Sequence, residues 1–139
     1  MRLPGRGPSP EEMEAARRAD SLGDLALDTL SKAFKLYGRL APDGRELTVG
    51  EAEEARAAVE ACARTGRALD ADRELIDLLS EEFDLRPSLA MIRVMQHGLL
   101  LALSDDPERR ARAMPLAGVQ ERMGPVYAHW QEIEARRRQ

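Results

Sequence analysis

Apolar residues recur along this chain in steps of three and four, and the polar stretches between those runs mark where one helix ends and the next begins. From Leu22 the steps pass through Ala26, Leu30, Ala33, Tyr37 and Leu40. Ahead of them, Ser9-Pro10-Glu11-Glu12 combines a capping hydroxyl, a proline at the first helical position and a glutamate placed for a capping box. Ser21 and Gly23 are expected to break this helix into a short first piece and a longer second one. Leu40 to Gly44 is a turn by its chemistry, with Pro42 and Gly44 as punctuation. Thr48 and Glu51 then form a second capping box, opening a helix expected to bury Val49, Ala52, Ala55, Val59 and Cys62 and to end at Gly66. Its small side chains suit close approach of a neighbouring backbone. Asp70 or Asp72 can cap a third helix carrying Leu75, Leu78, Leu79 and Phe83.

The stretch from Ser88 to Ser104 departs from this amphipathic pattern. Only Arg93, Gln96 and His97 interrupt its apolar or small character, so it is predicted to be the central helix that the others wrap. Pro87 marks its start, because the residue before a proline resists helical geometry. Asp106-Pro107-Glu108 opens another helix, with its negative charge at the positive end of the dipole. Beyond Pro115 the apolar steps run through Leu116, Val119, Met123, Val126, Trp130 and Ile133, straight across Gly124-Pro125. One kinked helix or two collinear ones are expected there. The pattern predicts an all-α chain, with residues 1–8 as a flexible basic arm and residues 9–139 as a single compact bundle of five to six helices.

Composition agrees with a helical chain. Ala, Leu, Glu and Arg supply 74 of 139 residues, whereas Val and Ile are scarce and aromatic residues make up 4%. The net charge of −4 argues against a dedicated nucleic-acid coat. Cys62 is the only cysteine and, with only His97 and His129 as histidines, cannot assemble a zinc site; a buried, inert thiol is expected. No apolar run approaches the roughly 18 residues that span a bilayer, and Met1 to Pro10 lacks the apolar core of a secretory signal. A cytoplasmic protein with no membrane partner is expected.

Few residues suggest chemistry. Asp43, Gly44 and Glu51 have a faint calcium-loop spacing, but the intervening positions supply too few oxygen ligands. Arg93 and His97, one turn apart, form a polar stripe that reads as the solvent edge of the central helix. No glycine-rich phosphate loop, nucleophile–base set or carboxylate pair is present, so no enzyme activity, cofactor or metal is expected.

Two resemblances bear on function. Leu79 to Leu89, followed by His97 to Leu100 and Asp106 to Arg112, resembles the helix-turn-helix and wing of MarR-type regulators, with Leu79, Phe83 and Leu85 at the packing positions, Pro87-Ser88 opening the recognition helix and the match extending from about Leu47 to Gly118. That resemblance implies a dimeric DNA-binding regulator with a small β-wing near 99–116, touching DNA through Arg86, Ser88, Arg93 and Gln96. Arg122 and His129, six residues between them, resemble the Arg–His pair of the HEPN ribonucleases, which implies acid–base cleavage of RNA. The preferred reading is different: a non-catalytic helical subunit that binds other protein chains, itself included, as a homo-oligomer or within a larger assembly. Val126, Tyr127, Trp130 and Ile133 are its candidate partner-binding face, because they gather two of the five aromatic residues of the chain.

Overall fold

The computed structural model describes residues 7, 9–78 and 84–138. Among them are six helices: α1 (Pro10–Leu40), α2 (Val49–Ala71), α3 (Arg73–Leu78), α4 (Arg86–Ala102), α5 (Pro107–Arg110) and α6 (Leu116–Arg137). Most of the proposed basic arm, together with Leu79 and Phe83, lies outside the described residues.

Helix α1 starts where its sequence directs, with the Ser9 hydroxyl accepting from the Glu12 amide at 3.1 Å. It ends at Ala41, which adopts a left-handed conformation (φ 41°) and returns its N–H to the Tyr37 carbonyl. The expected break at Ser21 and Gly23 does not occur. A helical glycine costs only about 1 kcal/mol, and the adjoining Leu22, Ala26 and Leu30 are all buried, so tertiary packing carries the helix through.

Helix α2 begins with both halves of the capping box in place between Thr48 and Glu51. Two sequence expectations need correction here. Val49 is 79% exposed, standing at the first position of the helix directly after the Thr48 cap and taking no part in the core. The helix also continues beyond Gly66 to Ala71, since Gly66 faces Leu89 of α4 and Leu69 behind it is fully buried. That glycine is buried beside Leu89 and does not terminate the helix. Helix α3 is one short turn with Leu75 and Ile76 buried and Leu78 exposed.

Helix α4 packs against α1, α2, α5 and α6 and occupies the middle of the bundle. Ser88, Met91, Ile92, Met95, Gly98, Leu99 and Ala102 are buried, while Arg93, His97 and Leu100 face outward. The three-four spacing continues through Leu99 and Ala102, so the β-wing expected near 99–116 is replaced by the end of α4 and the short α5; no strand occurs among the described residues. Arg110 ties this corner together, donating to the carbonyls of Gly44 (3.0 Å) and Ser104 (2.9 Å).

The tightest packing in the core joins α1 to α4. Tyr37 is fully buried and its hydroxyl donates to the Met114 carbonyl at 2.5 Å. Its ring lies directly on Gly98, where a Cβ would come within 2.5 Å of the Tyr37 oxygen. Only glycine allows that approach. Helix α6 runs unbroken through Pro125 and seals the far side of α4 with Val119, Met123, Val126 and Ile133.

Candidate protein-interaction face

Helices α1 and α2 form an antiparallel pair joined along one seam. At one level of the seam the buried hydroxyls of Thr29 and Thr65 share a hydrogen bond of 2.7 Å. At the opposite end the Arg39 guanidinium donates to the Glu54 carboxylate. Helix α4 covers one side of the pair, where Gly66 and Tyr37 meet it. The other side is an open groove of 710 Å³. Leu25, Ala33 and Leu36 supply its α1 wall, and Ala57, Ala58, Ala61 and Ala68 its α2 wall. Asp28, Lys32, Arg39, Glu54 and Arg64 stand along its rim.

The groove exists because of side-chain size. Alanines project a single methyl group each, so the seam is held by backbone proximity and the space above it is left unfilled. The sequence does signal this, in the alanine-rich run of Ala52 to Ala63, and the inference that small residues allow close helix approach is correct for the α4 side. It did not reveal that the same run also leaves an uncovered apolar surface on the other side.

The residues proposed from sequence as a partner-binding face are spent mainly within the bundle. Val126 and Ile133 are each 5% exposed and belong to the core. Trp130 is half-buried and its indole N–H donates to the Ser88 hydroxyl at 3.0 Å. Tyr127 remains at the surface, edge-on to Phe34 of α1 with ring centroids 6.0 Å apart. The apolar steps along α6 are therefore those of a helix packing on its own neighbours.

The DNA candidates are similarly dispersed. Ser88 is fully buried beneath Trp130, and Gln96 is half-buried. Arg86 is paired with Asp84 (2.8 Å), and Arg93 with Asp70 at the end of α2 (2.5 Å). The face of α4 that would enter a major groove is thus partly internal, and its two arginines already have carboxylate partners. Of the HEPN-like pair, Arg122 is exposed, whereas the Nε2–H of His129 is directed at the Asp84 carbonyl, 2.9 Å away. That carbonyl can only accept, which fixes the proton on Nε2. The ring holds the segment entering α4 and stands two helical turns from Arg122.

The loop resembling a calcium site has another occupant. Arg45 forks onto both oxygens of Glu51 at 2.9 and 2.8 Å, and the Thr48 amide adds a third bond. These donors hold the Glu51 carboxyl down to about 2. Burial pushes the Cys62 thiol up to about 11, as befits an inert side chain in an apolar setting. Among the described residues there is no group of three His, Cys, Asp or Glu side chains placed to hold a metal ion, and no helix long and apolar enough to cross a membrane. No protein-family model, curated protein or solved structure matches the chain.

Proposed function

We propose that this protein is a non-catalytic helical interaction module, acting in the cytoplasm, that works by burying its α1–α2 groove against the helices of another protein chain. The observation that carries this reading is the groove itself: an apolar trough running along the open side of a helix pair whose opposite side is covered by α4. A shallow apolar groove between two helices, rimmed by charge, has the form that accepts the apolar face of another helix. The long antiparallel pair offers a rigid surface, braced by the Thr29–Thr65 hydrogen bond within and the Arg39–Glu54 pair at its end.

Site-specific photocrosslinking in the native cells tests the reading. A photoreactive residue replacing Leu25, a large exposed side chain on the groove wall, should give discrete protein adducts, whereas one replacing Ala117, exposed on α6, should not. Absence of adducts from Leu25, or identical adducts from both positions, would rule the groove out as the working surface.

A further inference from the structure

The covered side of the α1–α2 pair shows what seats on it. Helix α4 lies against both α1 and α2. It buries an apolar stripe in steps of three and four, through Met91, Ile92, Met95 and Leu99, and adds an ion pair from its Arg93 to Asp70 near the end of α2. The ridge of one helix lying in the groove between two others is the ordinary way helices pack. The open side is built by the same two helices. Thr29 meets Thr65 at one level of the seam and Arg39 meets Glu54 at another, about 15 Å away along the helices. Ala33 and Leu36 of α1 and Ala57, Ala58 and Ala61 of α2 lie between those levels, so the apolar trough is as long as about ten residues of a helix laid in it.

The rim charges define what that helix must carry. Lys32 pairs with Asp28 at 3.0 Å and Arg39 pairs with Glu54, so these four charges are answered within the chain. Arg64, next to Thr65, is exposed and has no hydrogen bond or ion pair among the described residues. It is the one unanswered charge on the rim. An occupant that brought an ammonium group to this end would be repelled, and one that brought a carboxylate would be held, the more firmly as the groove is closed to water. The helices of this chain with a long apolar stripe, α4 and α6, already bury it in their own core, so a second copy has no such stripe to offer.

Resting on the interaction reading above, we infer that the groove takes one amphipathic helix of a different protein, lying along the seam with its apolar stripe on Ala33, Ala57, Ala58 and Ala61 and a carboxylate against Arg64. Two synthetic stapled helices, each about fourteen residues long so as to span the trough, test this by fluorescence anisotropy with the full chain. Both carry leucines in steps of three and four. One has glutamate at each end and the other lysine, which leaves the direction of binding free. The glutamate helix should bind about fivefold more tightly than the lysine helix, as expected of one exposed ion pair. Arg64→Glu should reverse that order, whereas Arg67→Glu, an exposed position outside the groove, should not. Ala61→Gln, which fills the trough, should weaken both helices with unchanged helical circular dichroism. Equal affinities, an order indifferent to Arg64→Glu, or failure of both helices to bind overturns the inference. Leu25 crosslinks separate that failure from failure of the interaction reading: adducts to another protein would remove this occupant alone, adducts to a second copy would replace it with self-pairing, and no adducts would remove the groove as well.

Discussion

Replacing Gly98 by alanine sets two physical effects against each other, and the structure decides between them. Helix propensity alone says that α4 should gain about 1 kcal/mol, since Gly98 lies in the helix interior. The added Cβ would lie 2.5 Å from the Tyr37 oxygen, 2.9 Å from Cε2 and 3.1 Å from Cζ. These are contacts with a buried ring held by its hydrogen bond to the Met114 carbonyl, so the ring cannot retreat without opening that bond. Overpacking of this kind costs about 1–3 kcal/mol, and a buried carbonyl losing its donor costs about 1–3 more. The net expectation for Gly98→Ala is destabilisation of about 1–5 kcal/mol, read from urea or thermal unfolding by circular dichroism, with roughly 3 °C of Tm for each kcal/mol. Gly38→Ala is the matched control: nothing lies within 4 Å of its added Cβ, and it should stabilise by about 0.5–1 kcal/mol. Tyr37→Phe removes the oxygen closest to that Cβ, so the double variant with Gly98→Ala should lose less than the sum of the single changes. A Gly98→Ala protein as stable as wild type, or more so, would show that the Tyr37–Gly98 contact does not constrain this crossing.

Three further outcomes follow from the same coordinates. Glu51 is held near 2 by Arg45 and the Thr48 amide, and Asp84 is lowered by Arg86, so both favour the folded state above the ordinary carboxylate range. That contribution is lost as pH falls from about 4.5 towards 2; the urea midpoint should drop over this window, and less so in a Glu51→Gln, Asp84→Asn variant. Cys62 and Tyr37 are raised by burial to about 11 and about 12, so their contributions are present at neutral pH and lost as pH climbs from about 9. Native protein should accordingly resist thiol reagents at pH 8 and react only as fast as it unfolds; immediate stoichiometric labelling would contradict the burial of Cys62. Trp130→Phe removes the donor to the buried Ser88 hydroxyl and should cost about 1–3 kcal/mol while leaving the oligomeric mass unchanged, whereas a change in mass would restore α6 as a docking face.

Local chemistry made most of the helix boundaries legible. Ser9, Thr48 with Glu51, and Asp106 all act as the caps their spacing suggests, because a capping bond depends on neighbours within three residues. The apolar steps of α1 and α6 likewise mark buried faces, at Leu30 and Tyr37 and again at Val119 and Met123. The misreadings all required knowledge of distant partners. Gly66 looks like a helix end until Leu89 is placed opposite it, and Gly23 like a break until the burial of Leu22 and Ala26 is known. Val126 and Ile133 have the composition of an interface, but nothing in a one-dimensional pattern separates an apolar face meeting α4 from one meeting another chain.

The same ambiguity explains why the groove went unseen, and why alanine was the residue that hid it. A large exposed side chain announces itself in sequence as an apolar residue out of phase, as Leu25 and Leu100 do. An alanine stripe carries almost no hydrophobic signal per position, and its surface becomes appreciable only when a second helix aligns Leu25, Ala33 and Leu36 beside it. Helix α2 therefore presents small residues in two directions for two reasons. On its inner side Ala55 and Gly66 are buried, Gly66 beside Leu89 of α4. Away from it, Ala57 and Ala61 leave room that no segment among the described residues enters. A monomer could fill that seam with leucine at no topological cost. Keeping it shallow is what the proposed docking of another chain's helices requires, since alanines at Ala57, Ala58 and Ala61 leave room for an incoming apolar face.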